Sequence, residues 1–291
     1  MNDNYSQGLF LDMPNADYHG NHPHIGSSGF KLLERSPAHY WAANIDPDRE
    51  RKEPTALMKI GTAWHSAVFE PDDFERIYIQ VPEGLDRRTK EGKALWAELE
   101  ASGKEPLSAD GWAQIKAMAA AAHAHPVTKV IMDQPGGVGE ASFFWVDEET
   151  GAPCRVRPDY AVEPCKLFPN GLIIDGKSSD DSSPEAFARN CWNSQMYYQA
   201  AFYSDGMQRC WRTPEPPAFM WLSQERDAPY ATAYYAASAD LVSYGRKKYR
   251  HLLRVFARCL DTGQWPGYPQ TVQSLELPTW AAKIVQDEVA A

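Results

Sequence analysis

The sequence predicts a mixed α/β (α+β) fold in which helices flank a central mixed β-sheet. Two observations lead to this expectation: three short strand-like runs follow one another in the middle of the chain, and helical periodicity occupies most of the remainder. We expect residues 1–291 to form one domain, since this length suits a single large core. Its predicted parts are an N-terminal helical elaboration at 27–135, a core at 136–240 and C-terminal helices at 238–291.

The N-terminal part has the helical pattern. Ser27 or Ser28 is expected to cap a first helix, and Thr55 to cap a second that runs to about Phe69. In the second helix Gly61 lies four residues before His65, so the glycine leaves space beneath the imidazole. The apolar positions of that helix fall at helical spacing and are expected to face a core: Leu57, Ile60, Trp64 and Val68.

Further helices follow from the same periodicity and from capping residues. Ser108 is expected to begin a helix at 108–123, and Gly263 to end a long one at 238–262. A last short helix is predicted to open at Leu277-Pro278-Thr279-Trp280. The remaining predicted helices lie at 89–101 and at 193–204, and one more begins at Ser182-Ser183-Pro184.

The centre of the chain is predicted to contain three consecutive strands. Residues 141–146 alternate and are aromatic, 147–151 have the composition of a hairpin turn, and 153–162 are expected to return as one strand. Residues 171–177 form the third strand. Two more strands are predicted at 219–223 and 230–235.

Period two within these strands groups the polar residues. Arg157 and Asp159 are expected on one face of the return strand, and Ile173, Asp175 and Lys177 on one face of the third. Each of these residues alone has an ordinary explanation, because an aspartate at a strand end is usually a cap and a lysine there is usually solvated. Their order on successive elements is what favours a common site.

The carboxylates of Glu140, Asp159 and Asp175 would make an oxygen-rich pocket of the kind that Mg²⁺ or Mn²⁺ prefers. The carbonyl group of Gly176 could be a further ligand. Lys177 could orient a water molecule or offset charge on a phosphate in the transition state. The sequence therefore predicts metal-assisted phosphodiester chemistry at this place.

Composition excludes some alternatives. A formal net charge of −10 disfavours a sequence-independent DNA coat, although it allows a local basic channel. The five cysteines are scattered without a Cys-x-x-Cys pair, which argues against a zinc ribbon, an iron–sulfur cluster or a disulfide scaffold. Without an 18-residue apolar run or a signal-peptide pattern, we expect no membrane span and a cytoplasmic location.

Several short motifs, taken together in their order along the chain, are more specific than any one of them. They are Ser27-Ser28, Ser36-Pro37-Ala38-His39-Tyr40, Gly61-Thr62-Ala63-Trp64-His65, Phe69-Glu70-Pro71, Glu140-Ala141-Ser142, Arg157-Pro158-Asp159, Ile174-Asp175-Gly176-Lys177-Ser178-Ser179, Gln199-Ala200-Ala201-Phe202-Tyr203-Ser204-Asp205-Gly206, Gly263-Gln264-Trp265-Pro266-Gly267-Tyr268 and Leu277-Pro278-Thr279-Trp280. Over roughly residues 25–285 this set resembles the PD-(D/E)XK nuclease superfamily, and within it the RecE-type (exonuclease VIII-like) exonucleases of phages and prophages.

The resemblance implies a restriction-endonuclease-like core and a role for each matching residue. It implies that His65, Asp159 and Asp175 lie near or on the metal ions, that Glu140 fills a further acidic position and that Lys177 is the catalytic lysine. The residues that the resemblance implies as supporting the site or contacting DNA are Gln199, Tyr203 and Arg157. The cofactor implied is Mg²⁺, with Mn²⁺ as an alternative.

The activity implied is an Mg²⁺-dependent exodeoxyribonuclease that digests linear double-stranded DNA, with 5′-to-3′ end resection for phage-type recombination. Two alternatives stay open: an endonuclease or DNA-trimming nuclease of the same fold, and a catalytically silent DNA-binding module. A CRISPR-adaptation-like trimming enzyme is disfavoured because no iron–sulfur cysteine quartet is present.

The partners implied by the resemblance are double-stranded DNA ends, further copies of the chain and a single-strand annealing protein. Copies would form a ring, as a trimer or tetramer, and a basic bore would reconcile DNA binding with the acidic net charge. Residues proposed for that bore are Arg87, Arg88, Lys90 and the run Arg246-Lys247-Lys248-Tyr249-Arg250.

Overall fold

The computed structural model describes residues 8–11, 13–20, 23–49, 55–278 and 281–282. Its helices are α1 (Asn15–Tyr18), α2 (Ser27–Arg35), α3 (Pro37–Asn44), α4 (Ala56–Phe69), α5 (Pro71–Ile77), α6 (Lys90–Ala101), α7 (Ala109–Ala124), α8 (Pro126–Met132), α9 (Pro184–Asn193), α10 (Tyr197–Trp211) and α11 (Ala239–Thr262). Its strands are β1 (Gly8–Phe10), β2 (Tyr78–Gln80), β3 (Glu105–Leu107), β4 (Gly137–Gly139), β5 (Ser142–Val146), β6 (Pro153–Val156), β7 (Tyr160–Val162), β8 (Leu172–Ser179), β9 (Ala218–Glu225) and β10 (Thr232–Ala236).

The main sheet has five strands in the order β10-β9-β8-β7-β4. Strands β8 and β9 run parallel from Leu172 opposite Ala218 to Ser179 opposite Glu225, and the other neighbouring pairs are antiparallel. A second sheet, β1-β5-β6, is antiparallel, and β2 and β3 form a small parallel pair. A mixed sheet flanked by helices confirms the predicted fold class.

The single return strand predicted over 153–162 is wrong. Strand β6 pairs with β5 in the three-stranded sheet, whereas β7 pairs with β8 in the five-stranded sheet. The segment 157–159 lies between them, so Arg157 and Asp159 do not share a strand face. Pro158 has no backbone N–H to donate to a ladder, which is consistent with the break at this point.

The main sheet is buried on both faces, and β8 divides its residues between them. Ile173 packs in a cluster with the apolar faces of α2, α10 and α11. Leu172 and Ile174 pack in another cluster with α4 and α7. The period-two prediction for this strand is therefore correct, and it directs successive residues at 175, 176 and 177 to alternate sides.

At most of the predicted helix starts, a side chain caps the first turn of the helix. Thr55 accepts a hydrogen bond from the Met58 N–H at 3.2 Å, and the Ser108 hydroxyl accepts from Gly111 at 3.1 Å. Helix α2 differs: Gly26 is its N-cap, and no side chain caps it, so the expected cap at Ser27 or Ser28 is wrong.

Two other expectations concern helix surfaces and ends. Leu57 is 55% exposed and does not face the core, whereas Trp64 and Val68 of the same helix are fully buried. The predicted helix at 277–280 includes Thr279 and Trp280, which lie outside the described residues. Within the described ranges, none of the helices combines the length and apolar character that crossing a membrane requires.

Candidate metal centre and active site

His65 lies on α4 with its ring directed at a carboxylate. Its Nδ1 is 3.2 Å from Oδ1 of Asp159, and its side chain is 26% exposed. One turn earlier, a Cβ atom at Gly61 would meet nothing within 4 Å, so open space lies beside the imidazole as predicted. Both residues line the same cleft.

Glu140 and Asp159 lie on two short connections that carry the chain between the three-stranded and the five-stranded sheet. Residues 140–141 connect β4 to β5, and residues 157–159 connect β6 to β7. The crossings are joined by a hydrogen bond of 3.2 Å from the Glu140 N–H to the Asp159 carbonyl oxygen. Glu140 has φ +48°, a left-handed conformation that is uncommon for a side chain of this size and recurs at functional sites.

The main chain of β8 also binds the side chain of Asp159. Its Oδ2 accepts a hydrogen bond of 2.5 Å from the Gly176 N–H. A Cβ atom at Gly176 would lie 3.0 Å from the Trp64 ring and 2.9 Å from the Phe69 ring. Glycine therefore allows α4 to approach β8 closely, and this approach places His65 beside Asp159.

Asp175 lies beside this group, 2% exposed, with both carboxylate oxygens engaged by the protein. Lys177 Nζ donates to Oδ2, and Gln199 Nε2 donates to Oδ1. Lys177 Nζ also lies 3.3 Å from the Gly176 carbonyl oxygen. The Asp-x-Lys pair thus shares one side of β8, as period two predicts.

Gln199 and Tyr203, four residues apart on α10, contact two different parts of the main chain near the cleft. Gln199 binds Asp175, and the Tyr203 hydroxyl donates to the Arg157 carbonyl oxygen at 3.2 Å. Tyr203 is 7% exposed, and burial raises its pKa well above the usual range. The two side chains lie on one face of α10, as their spacing of four residues predicts, and both contact residues near the cleft.

The guanidinium group of Arg157 is directed into the protein. Its Nε donates to the Ser142 hydroxyl at 2.8 Å, one terminal nitrogen donates to the Met13 carbonyl at 2.8 Å, and the group lies 4.2 Å from the Tyr18 ring centre. These contacts fix the N-terminal segment across the cleft. A DNA contact by Arg157 stays a prediction.

Burial raises the pKa of two carboxyl groups. The pKa of Glu140 is raised to about 8 by burial and by the negative charge of Asp159, and His65 only partly offsets this. The pKa of Asp175 is raised to about 6 by burial and by Asp159, although Lys177 acts in the opposite direction. Both groups therefore hold protons more tightly than an exposed carboxylate does.

The pKa of Asp159 is lowered and the pKa of His65 is raised, because each group favours the charged form of the other. Burial alone would raise the pKa of Asp159, but the charge and hydrogen bond of His65, with the charge of Lys177, lower it. For His65, burial alone would lower the pKa, but the charge and hydrogen bond of Asp159 raise it. These opposite shifts favour an ionised Asp159 that faces a protonated His65 when no metal ion is bound.

The donor set fits a divalent cation. One ligand atom each from His65, Glu140 and Asp159 lies within 4.8 Å of the others. The three side chains line a cleft of about 810 Å³. Carboxylate oxygens and an imidazole nitrogen are ligands for divalent cations, and a bound cation would stabilise the ionised form of Glu140. Asp175 lies outside this set of three, next to Asp159, with oxygen lone pairs beyond those used by Lys177 and Gln199.

The basic residues proposed for a bore are largely engaged by this chain. Arg246 is bound to Asp205, with a closest distance of 2.6 Å, and Lys248 is bound to Glu34. Arg250 lies 2.5 Å from Asp147. Three residues of the run proposed for the bore are therefore paired with carboxylates of the same chain, and the bore itself stays a prediction. Near the N-terminus, Arg88 is paired with Asp86, and Arg87 packs over the Trp96 ring.

Sequence reasoning missed several contributors to the cleft. Tyr18 and Met13 come from a segment without periodic signal, and they reach the site by contact with Arg157. Trp64 donates from Nε1 to the Gln224 side chain at 2.6 Å, and this buried bond fixes α4 against β9. Such contacts join residues more than a hundred positions apart, so no local pattern indicates them.

Comparison with known families gives one match that spans most of the chain. Residues 26–278 match the sequence profile of a family described as a PDDEXK-like domain of unknown function (DUF3799). No curated protein matches the chain.

Comparison with solved structures gives similar chains of low identity. The crystal structure of a "Putative exonuclease" from Eubacterium rectale aligns over 94% of this chain and 98% of that chain, with a TM-score of 0.56 and 14% identity. At this identity the likeness shows the fold alone. The crystal structure of SSO0001 covers 68% of this chain and 88% of that chain at 10% identity, and its TM-score of 0.28 is too low to carry an argument.

Proposed function

Since the chain belongs to the family of PDDEXK-like domains, we propose that it is a divalent-metal-dependent exodeoxyribonuclease acting on linear double-stranded DNA. Membership confirms the PD-(D/E)XK assignment made from the sequence, and the RecE type within it is part of the proposal. The observation that carries the proposal is the adjacency of two groups. His65, Glu140 and Asp159 lie together at the cleft, and the Asp175–Lys177 pair lies beside them.

Mg²⁺ or Mn²⁺ would be held by His65, Glu140 and Asp159, with Asp175 as the neighbouring carboxylate. A divalent cation in such a site polarises a phosphoryl oxygen and lowers the pKa of a coordinated water. The protein itself would hold the carboxylates in place, supply positive charge and exclude other arrangements of the ligands around the cation.

Lys177 is proposed to supply the positive charge. Burial alone would lower its pKa, but the charges of Asp175 and Asp159 raise it, so the ammonium group stays protonated. Bound to Asp175, it can stabilise negative charge on a phosphate in the transition state. Gln199 holds the other oxygen of Asp175 and thereby fixes the direction in which the lysine is presented.

End resection with 5′-to-3′ polarity, in a phage-type recombination pathway, is the finer part of the proposal. Its support is the ordered motif set of the sequence. The printed name of the Eubacterium rectale neighbour, a putative exonuclease, supports the exonuclease part alone. An endonuclease of the same fold and a catalytically silent DNA-binding module are the alternatives that experiment must separate.

The test is a digestion assay on linear duplex DNA labelled at either the 5′ or the 3′ end, with EDTA, Mg²⁺ or Mn²⁺. We expect digestion only with a divalent ion, and early release of the 5′ label. Closed circular DNA of the same sequence should remain intact. Cleavage of the circle would favour the endonuclease, and binding without cleavage under any divalent ion would favour the silent module.

Assembly is proposed from the resemblance alone. A ring of three or four copies around DNA, and a single-strand annealing protein as partner, would accompany a resecting exonuclease. Because Arg246, Lys248 and Arg250 are paired within the chain, other groups would have to provide a basic bore. Light scattering at micromolar concentration should give a trimer or tetramer, and a monomer would contradict the ring.

A further inference from the structure

Three aromatic rings from three different helices lie against one another near the turn between α9 and α10. Trp192 is in the last turn of α9, Tyr197 is the first residue of α10, and Tyr244 belongs to α11. The ring centre of Trp192 lies 5.5 Å from that of Tyr197 and 5.3 Å from that of Tyr244, and the two tyrosine rings are 5.0 Å apart. We call these three residues the aromatic patch.

The aromatic patch is exposed on its outer side and fixed on its inner side. Trp192 is 55% exposed and Tyr244 is 38% exposed, whereas Tyr197 is buried. Trp192 is the most exposed of the tryptophans that the structure describes. The Tyr197 ring in turn packs at 4.8 Å on Tyr198, which lies in the core. Large, rigid aromatic surface that remains in water is typical of binding sites rather than of structural positions.

Two exposed cations flank the aromatic patch. Arg189 lies one turn before Trp192 on α9, and Lys247 lies one turn after Tyr244 on α11, so each shares a helix side with its ring. Neither cation forms an ion pair within the part of the chain that the structure describes. Asp240, one turn before Tyr244, is the acidic residue nearest along these helices.

The next cation along α11 is already compensated, because Lys248 is bound to Glu34. The surroundings of the aromatic patch therefore carry more positive than negative charge. Lysine is depleted at protein–protein interfaces, whereas exposed aromatic rings beside cations are what proteins use to bind single-stranded nucleic acid. The bases stack on the rings, and the cations face the phosphates. Charge and ring exposure together favour a nucleic-acid strand over a protein as the occupant.

Helix α10 connects the aromatic patch to the proposed reaction centre. Two residues after Tyr197, in the same turn of the helix, Gln199 donates its side-chain hydrogen bond to Asp175. The turn between α9 and α10 is itself held by a hydrogen bond of 2.6 Å from the Gln195 amide to Glu34. The aromatic patch is thus a fixed surface outside the metal centre, at the end of α10 that supports Asp175.

We propose that the aromatic patch binds an unpaired DNA strand next to the reaction centre, with bases stacked on Trp192 and Tyr244 and with Lys247 and Arg189 facing the phosphates. The inference rests on the proposed function in identifying the strand as DNA. Digestion of one strand of a duplex leaves the other strand unpaired, so the reaction itself generates this ligand. Stacking on aromatic rings tolerates every base, which suits an enzyme that advances through any sequence.

The first test needs no catalysis. A fluorescein-labelled single-stranded oligothymidylate is titrated with the full chain in EDTA and followed by fluorescence anisotropy. We expect saturable binding by the wild type and at least about fivefold weaker binding by Trp192→Ala, since one stacked base contributes about 1–3 kcal/mol. Trp192→Phe should restore part of the affinity. Tyr268→Ala, which removes an exposed ring outside the aromatic patch, should bind as the wild type does.

Absence of saturable binding by the wild type, or equal binding by Trp192→Ala, would overturn the proposal. The salt dependence of binding tests the cation separately. Lys247→Gln should reduce the slope of log Kd against log salt concentration by about 0.7, the value for one phosphate contact of a single strand. An unchanged slope would contradict the contact between Lys247 and the strand.

The second test identifies the strand. Values of Kd in EDTA are compared for blunt duplexes and for duplexes with a single-stranded 3′ or 5′ tail, in wild type, Trp192→Ala and Tyr268→Ala. We expect tighter binding of one tailed duplex, and loss of that preference in Trp192→Ala alone. A preference for the 3′ tail supports the strand that 5′-to-3′ digestion leaves behind, and a preference for the 5′ tail supports the strand being cut. Equal affinity of the wild type for all three duplexes would reject the site.

These measurements separate the aromatic patch from the proposed activity. Strand binding through Trp192 without digestion in Mg²⁺ or Mn²⁺ would reject the nuclease while retaining the single-strand site. Digestion by a wild type whose strand binding does not depend on Trp192 would do the reverse. Light scattering tests the protein alternative: if Trp192→Ala reduces the number of associated copies and leaves strand binding unchanged, the aromatic patch is a contact between copies and the proposal is overturned.

Discussion

Two groups of charged residues, each assembled from distant parts of the chain, differ in their charge balance. The hairpin cluster follows β5 and consists of Asp147, Glu149, Arg209, Arg250 and Arg254. The cleft cluster surrounds the crossings and consists of His65, Glu140, Asp159, Asp175 and Lys177.

In the hairpin cluster, the carboxylates are paired with arginines of the same chain. Asp147, 1% exposed, lies 2.5 Å from Arg250 and accepts hydrogen bonds from the backbone and hydroxyl of Thr150 at 3.1 and 2.8 Å. Burial alone would raise the pKa of Asp147, but the bonds from Arg250 and Thr150 lower it. Glu149 is bound by Arg254 at 2.5 Å.

The cleft cluster is short of positive charge. Three carboxylates face one lysine and one histidine, and the pKa of Glu140 is raised to about 8 by burial and by Asp159. Acidic and basic side chains thus compensate each other's charge in the hairpin cluster, whereas in the cleft cluster they do so only in part. Buried charges that the chain does not pair are the ones for which a cation or substrate can compensate.

The largest effect is expected from the cleft cluster. Asp175→Ala removes the carboxylate next to Asp159 and leaves Lys177 without its partner, so DNA digestion should fall by at least about a thousandfold. Initial rates on linear duplex in Mg²⁺ measure this, with circular dichroism to verify folding. Asp133→Ala, which changes an exposed aspartate outside both clusters, should keep wild-type rates. Full activity in Asp175→Ala would remove the basis of the site.

The hairpin cluster should show the reverse pattern, a loss of stability without a specific loss of catalysis. Asp147→Asn leaves Arg250 partly unpaired and should lower the free energy of unfolding by about 3 kcal/mol. Because the folded-state pKa of Asp147 is lowered, its contribution is present above the ordinary value of 3.8 and is lost as pH falls through the lowered pKa. Urea unfolding at pH 7 and pH 3 should therefore show a smaller difference between wild type and variant at pH 3.

Stability of the metal-free cleft cluster should depend on pH in the opposite direction. Between about 4.5 and 8 the folded state retains a proton on Glu140 that the unfolded state has released, so this group lowers stability as pH rises. Glu140→Gln should flatten that decline. A divalent ion at a hundred times its Kd should add about 2.7 kcal/mol to the wild type.

Melting temperatures in EDTA and in Mn²⁺, at pH 6 and pH 8, measure both effects. We expect the increase caused by Mn²⁺ to be larger at pH 8, where fewer protons compete for Glu140. An equal increase in Glu140→Gln would show that the ion binds elsewhere.

The smallest effect is expected from Tyr203→Phe, which removes one hydrogen bond that holds the crossing at Arg157. Unfolding free energy should decrease by about 1 kcal/mol. Activity should remain within tenfold of wild type, because no carboxylate loses a partner. Tyr268→Phe is the matched control, since that tyrosine is 66% exposed. A loss of activity as large as that of Asp175→Ala would place the hydroxyl in the chemistry.

Local chemistry made much of this arrangement predictable from the sequence. Thr55 and Ser108 cap their helices, and period two in β8 places Ile173, Asp175 and Lys177 on one side. The close relation of His65 to Gly61 also follows from helical spacing.

Features that depend on distant residues could not be predicted in this way. Whether residues 153–162 form one strand or two depends on which sheet offers a partner on each side of Pro158. Leu57 has the apolar spacing of a core residue, but it is exposed to solvent among the residues that the structure describes. Arg250 is one of a basic run in the sequence, yet its partner Asp147 lies 103 residues away.

The two crossings have a mechanical consequence. Two short connections, residues 140–141 and 157–159, carry the chain between the three-stranded and the five-stranded sheet. Glu140 and Asp159 lie on these connections, which are joined by one backbone hydrogen bond of 3.2 Å. An ion that binds both carboxylates would stiffen this link between the two sheets. Slower amide exchange in β5 and β6 on adding Mn²⁺ would make the stiffening visible far from the ion.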